Sequence, residues 1–307
     1  MPPPHLLHHH IRGPADAPLL LLGPSLGTST AIWERHLPFL ARHFRVLRYD
    51  LPGHDGSPTG LLRDPAPGRT TVDDIASLVL DLADHHGGDR FHYAGISLGG
   101  AIGTHLAAHH RGRVASLALV CTSAHFGTAG PWRERADLVR REGTAPLLRS
   151  SPDRWFASPA TAGTPLARRL LDTLRSAAPE GYAACCDALA TCDLRRDLAK
   201  ISAPTLVIGG SRDVATPVEH AKELAQGISG AVLEIVDCGH LACEQPRALR
   251  SALATHLRMS RPANGAPKSP PVGRRDAPLH SPGAPQEKSA SVMPSGCPDG
   301  HSTNSIR

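Results

Sequence analysis

Phe91-His92-Tyr93-Ala94-Gly95-Ile96-Ser97-Leu98-Gly99-Gly100 is the stretch that decides the fold. Its first half is an apolar run of strand type, and residues 100–110 read as a helix. Gly-x-Ser-x-Gly set between a strand and a helix reads as a nucleophile elbow. The serine needs a very tight turn that strains its own backbone. Gly95 and Gly99 stand two positions to either side, where a Cβ would collide with a neighbouring strand or helix. Such a turn lifts the Ser97 hydroxyl clear of the sheet. It also points the Leu98 N–H into the same space, at a helix N-terminus that favours negative charge. Alone, the pentapeptide could be a glycine-rich turn with an incidental serine, so its partners matter.

Working outward, the flanking segments alternate in type. Leu19-Leu20-Leu21-Leu22 is a continuous apolar run, as in a strand buried on both faces. It leads into Gly23-Pro24-Ser25-Leu26-Gly27-Thr28, and a helix is predicted over 31–42, with Trp33, Leu37 and Leu40 at helical spacing. A strand over 45–49 ends in a turn-rich loop, 50–58. Thr71 caps a helix starting near Val72, whose first turn carries Asp73 and Asp74. A strand over 115–121 follows the elbow. Later come a strand over 204–210, a helix over 217–226, a strand over 232–236 and a closing helix over 246–257. This rhythm predicts an α/β fold, a mostly parallel sheet with helices on both faces. Ligands then bind beyond the carboxyl ends of the strands.

Two segments break the rhythm. Residues 126–199 read as short helices (131–142, 151–156, 165–176 and 179–192) without strands, a helical lid insertion over the strand ends. The core is therefore expected over 1–125 and 200–259. From 260 to 307 the chain is Pro-, Ser-, Gly- and Ala-rich with few large apolar residues. It cannot offset its ordering entropy and is expected to be a disordered tail.

The 307 residues carry a net charge of +5, which invites a nucleic-acid reading. Six Lys/Arg against three acids place +3 of that charge in the tail, so the body is near balance and no nucleic-acid partner is expected. Seven scattered cysteines without a CxxC pair read as free thiols of a reducing compartment. No basic-then-apolar leader and no run of about 18 apolar residues is present, so a cytoplasmic protein without a membrane partner is expected. Residues 5–12 read as an edge strand or hairpin arm. The run His8-His9-His10 carries no metal expectation, because adjacent strand residues face opposite sides and no acid or cysteine is spaced to help.

Ser97, Asp213 and His240 each follow a predicted strand, in the nucleophile–acid–histidine order of the α/β-hydrolase fold. A serine hydroxyl is too weak an acid to attack a carbonyl unaided; His240 would take its proton and return it to the leaving oxygen. Asp213 would hold one imidazole tautomer. The oxyanion hole would use the Leu98 N–H and the Leu26 N–H, each worth about 3–4 kcal/mol of barrier.

With these residues in place the sequence resembles the 3-oxoadipate enol-lactonases over about residues 19–258. The resemblance rests on Gly23-Pro24-Ser25-Leu26-Gly27-Thr28 with Trp33, on Gly95-Ile96-Ser97-Leu98-Gly99-Gly100, and on Tyr182-Ala183-Ala184-Cys185-Cys186 with Asp193-Leu194-Arg195. Pro204-Thr205-Leu206-Val207-Ile208-Gly209-Gly210, Asp213-Val214-Ala215-Thr216-Pro217, Gly239-His240 and Glu244-Gln245-Pro246 extend it. Pro24 stands where that family usually has Asn, Leu98 where Met is usual, and Ala242-Cys243 where an Asn-Val pair is common; these touch the pocket walls, not the triad. The resemblance implies a serine hydrolase that opens an acidic enol-lactone to 3-oxoadipate through an acyl-enzyme, with no metal or organic cofactor. A small-molecule lactone or ester is the implied partner. Its carboxylate calls for a cation in the lid, and Trp132 with Arg133 or Arg135 are the candidates. The competing readings are another carboxylesterase or lactonase on the same scaffold, and a catalytically silent ligand-binding fold.

Overall fold

The structure, a computed structural model, describes residues 5–259. The expectation for residues 260–307 falls outside the described residues. Seven strands form one sheet: β1 His9–Arg12, β2 Leu19–Gly23, β3 Arg45–Tyr49, β4 Phe91–Ile96, β5 Val114–Val120, β6 Thr205–Gly210 and β7 Val232–Val236. Their order is β1-β3-β2-β4-β5-β6-β7. All neighbours run parallel except β1, which lies antiparallel to β3. Every residue of β2, β4 and β6 is buried, which accounts for the unbroken leucine run of β2 and the mainly apolar β4 and β6. The predicted edge strand is β1. The histidines at its start diverge: His8, just before the strand, places Nδ1 2.6 Å from Asp50 Oδ2, while His9 Nε2 meets His86 Nε2 at 2.8 Å.

Among the described residues ten α-helices connect and cover the sheet: α1 Leu37–Leu40, α2 Val72–His85, α3 Leu98–His109, α4 Ala129–Glu142, α5 Ser151–Trp155, α6 Pro159–Ala162, α7 Pro165–Ser176, α8 Pro179–Thr191, α9 Val218–Gly227 and α10 Pro246–Met259. The Thr71 cap is a reciprocal box: Asp74 N–H donates to Thr71 Oγ1 at 3.3 Å and Thr71 N–H to Asp74 Oδ2 at 2.8 Å. The predicted helix over 31–42 is split. A 3₁₀ turn, Thr30–His36, precedes the single turn α1. Pro38 has no N–H to give Glu34, so the Leu37 N–H takes the Glu34 carbonyl instead and tightens the turn.

The helices α4 to α8 lie between β5 and β6, with α4 packed on α8. A single bridge, His125 with Asp193, and a Leu194 N–H to Ala124 O bond of 2.8 Å join the two ends of this insertion. The bridge lies a few residues short of the expected end at 199, because the 3₁₀ turn Arg195–Lys200 packs back on α3 and α9. No helix among the described residues is long and apolar enough to cross a membrane.

Candidate active site

Ser97 sits at φ 55°, ψ −119°, between β4 and α3. A non-glycine residue there costs on the order of 1–3 kcal/mol and persists only when its surroundings over-determine it. They do so here. Ser97 N–H donates to Val120 O at 3.0 Å, and the Ser97 carbonyl accepts from Thr122 Oγ1 at 2.6 Å. Tyr93 OH donates to Gly99 O at 2.8 Å and is itself 2.7 Å from Tyr49 OH. A Cβ on Gly95 would come within 2.2 Å of Gly99 O, and one on Gly99 within 2.6 Å of the Gly23 carbonyl. The glycines thus let strand, helix and the loop after β2 meet, and Gly99 N–H donates to Pro24 O at 3.1 Å across that junction. The helix starts at Leu98, two residues before the sequence-based boundary, because Ser97 itself serves as the cap residue.

Asp213 and His240 follow β6 and β7. His240 Nδ1 lies 2.9 Å from Asp213 Oδ2. The other Asp213 oxygen accepts the Ala215 and Thr216 N–H groups at 2.8 and 2.9 Å, and Thr216 Oγ1 donates to Oδ2 at 2.6 Å. Burial alone would raise the Asp213 pKa, but the His240 and Thr216 partners hold it below the ordinary carboxylate value. The His240 loop is pinned from below. Glu244 accepts the Gly239 N–H on one side and the Ala157 N–H and Thr161 Oγ1 on the other, and Leu241 N–H donates to Trp155 O at 2.8 Å.

Ser97 and His240 line one pocket with Ser25, Leu26, Thr216 and Tyr182. Among the described hydrogen bonds none joins Ser97 Oγ to the imidazole; such contacts often tighten only with substrate bound. The Leu98 and Leu26 N–H groups, both candidate oxyanion donors, have no protein acceptor among the described hydrogen bonds.

The insertion supplies the opposite wall: Phe126, Trp132, Arg135, Arg154 and Trp155. Arg133 is exposed and not among the lining residues. Trp132 and Arg135 are three residues apart on α4 and share its inner face, whereas Arg133 lies about 100° around the helix from Trp132. The Arg135 guanidinium lies 5.2 Å from the centre of the Trp132 ring. Arg154, on α5, had no sequence signal at all. Burial, and then the neighbouring Arg135 charge, lower its pKa from the ordinary value. Thr216 is a further residue of the site: its N–H and hydroxyl both donate to Asp213, an Asx-type turn of the kind that an Asp in a loop favours.

Residues 19–252 match the family model described as the alpha/beta hydrolase family. The chain belongs to the alpha/beta hydrolase family. Among similar members, 3-oxoadipate enol-lactonase 2 of Acinetobacter baylyi is 34% identical over 249 residues, covering 80% of this chain and 91% of that protein. The enol-lactonase of Burkholderia xenovorans LB400 superposes with a TM-score of 0.77 at 34% identity, over 82% of this chain and 96% of that one. A thermophilic esterase of Thermogutta terrifontis, solved with malate bound, gives 0.75 at 28% identity, over 83% and 93%. This hydrolase is accordingly an enzyme of the ester-hydrolase kind.

Proposed function

We propose that this hydrolase opens the ring of 3-oxoadipate enol-lactone by a Ser97–His240–Asp213 triad. Ser97 Oγ attacks the lactone carbonyl while His240 Nε2 accepts its proton. The Leu98 and Leu26 N–H groups receive the oxyanion. The ring C–O bond then breaks and expels an enolate, a better leaving group than an alkoxide. His240 protonates it, and ketone formation discourages reclosure. Water, deprotonated by His240, releases the acid from Ser97. Asp213 keeps Nδ1 protonated throughout, with Thr216 fixing the carboxylate. The helical insertion acts as the lid.

The observation that carries this reading is that Arg135 and Arg154 share a cavity with Ser97 and His240. Two neighbouring guanidiniums repel each other, and an anionic substrate relieves that repulsion. The 34% identity to named enol-lactonases supports the choice of acid. The test is hydrolysis of 3-oxoadipate enol-lactone by wild type beside Ser97→Ala. The reading requires turnover by the first and none by the second. An esterase for short acidic esters is the second reading, favoured by the malate-bound relative. Faster turnover of such an ester than of the lactone would select it.

A further inference from the structure

His54 is fully buried in the loop after β3 and is not among the residues lining the cavity. Its two nitrogens have opposite partners. Nδ1 lies 3.0 Å from Pro52 O, which can only accept, so Nδ1 carries the hydrogen. Nε2 receives the Gly27 N–H at 3.0 Å, so Nε2 is bare. Both bonds together fix one neutral tautomer, assigned here from the hydrogen-bond network.

The acceptor on Gly27 matters because of where Gly27 sits. Residues 25–28 form a turn, closed by the Thr28 N–H and Oγ1 on Ser25 O at 3.1 and 2.7 Å. Leu26 and Gly27 are its central residues, and Gly27 has φ +79°, as the third position of a type II turn requires. In such turns the central peptide, here Leu26–Gly27, is the unit that flips when the type changes. Its N–H is the one His54 holds. The His54 ring also stacks on Tyr182, 5.8 Å between centres and 27° between planes, and Tyr182 lines the cavity. Ala178 N–H donates to Gly53 O at 2.8 Å, tying the same loop to the start of α8.

We propose that His54 is a positioning residue for the oxyanion loop: by accepting the Gly27 N–H it locks the turn that presents the Leu26 N–H to the cavity. This rests on the reading of Leu26 as an oxyanion donor. His54 touches neither substrate nor Ser97; by fixing the Leu26–Gly27 peptide it fixes the Leu26 backbone and so the adjoining Ser25–Leu26 peptide, which bears the Leu26 N–H.

His54→Phe keeps a ring against Tyr182 but offers Gly27 no acceptor. It is expected to lower kcat about 10–100-fold with KM within about twofold, less than the outright loss of one donor. Affinity for a boronic acid that forms a tetrahedral adduct on Ser97 should fall in parallel, while affinity for the ring-opened dicarboxylate product stays. His54→Gln, whose amide oxygen can take the Gly27 N–H, should recover most of kcat. Wild-type kcat in His54→Phe, or Gln no better than Phe, overturns the proposal. So does the lack, in ¹⁵N-labelled wild type, of a coupling across the hydrogen bond between the Gly27 nitrogen and His54 Nε2, whatever the variants do. Failure of the underlying hydrolase reading looks different: Ser97→Ala would then keep its turnover, whereas failure at His54 alone leaves Ser97→Ala inactive and His54→Phe fully active.

Discussion

Asp213 Oδ2 and His240 Nδ1 are 2.9 Å apart, and the Asp213 side chain is already filled by three further donors from Ala215 and Thr216. The carboxylate therefore has a fixed orientation before any substrate arrives. Asp213→Asn keeps the shape but presents an amide N–H that favours the wrong imidazole tautomer. The expected outcome is a loss in kcat of roughly 10⁴-fold with KM little changed. Thr216→Val, which removes only the hydroxyl donor, should cost about tenfold, in keeping with one charge-assisted bond. Steady-state kinetics on the lactone checks both, and equal small losses would contradict the assigned order of importance.

The two cavity arginines should separate binding from chemistry. Arg135→Ala and Arg154→Ala are each expected to raise KM for the acidic lactone by about tenfold or more, the value of a charge-assisted contact of roughly 1.5–3 kcal/mol. A neutral p-nitrophenyl ester should be affected little. Arg133→Ala, on the outer face of α4, should leave both substrates as in wild type. An Arg133→Ala phenotype confined to the acidic lactone would reverse this assignment.

The tyrosine pair behind the elbow gives an asymmetric prediction. Because Tyr93 OH donates to Gly99 O, the proton between the two phenols belongs to Tyr49. Tyr49→Phe leaves the Gly99 bond intact and should cost about 1 kcal/mol or less. Tyr93→Phe strands both the Gly99 carbonyl and the Tyr49 hydroxyl in a dry site and should cost about 1–3 kcal/mol. Urea unfolding of the two single variants and the double variant decides it. The double variant should be no worse than Tyr93→Phe alone.

Stability should fall on the acid side for a reason independent of the triad. His36, His54 and His256 are buried, and burial is the first cause that pushes each pKa down to about 4 from 6.5. They stay neutral in the folded chain but take up protons once unfolded, so between about pH 6.5 and 4 the unfolded state binds more protons. Stability is then retained above 6.5 and lost as the pH drops through this window, by up to about 1 kcal/mol per pH unit per histidine. Neither His36 nitrogen has a hydrogen-bond partner among the described residues, so His36→Leu should reduce the acid slope without loss at pH 7.5. Denaturant melts at pH 7.5 and 5.0 test this; a flat profile would rule it out.

The parts of the fold set by local pattern were legible in the sequence. The mainly apolar β2 and β6, the capped α2 and the strand–elbow–helix at Ser97 each carry their signal within a dozen residues. What was not legible depends on phase or on distant partners. Arg133 and Arg135 differ only in which side of α4 faces the cavity, and that is fixed by packing against α8. Arg154 reaches the site through the arrangement of α4 and α5. The split of the 31–42 helix needed Pro38 to be weighed against the apolar spacing. The local sequence marks His54 only as part of a turn-rich loop, since its acceptor role depends on a glycine 27 positions upstream.

Glu244 grips both the Gly239 N–H and the corner between α5 and α6. One side chain therefore rivets the base to the roof above it. Any outward movement of that corner would pull on the loop that carries the imidazole, so the two are expected to shift together or not at all.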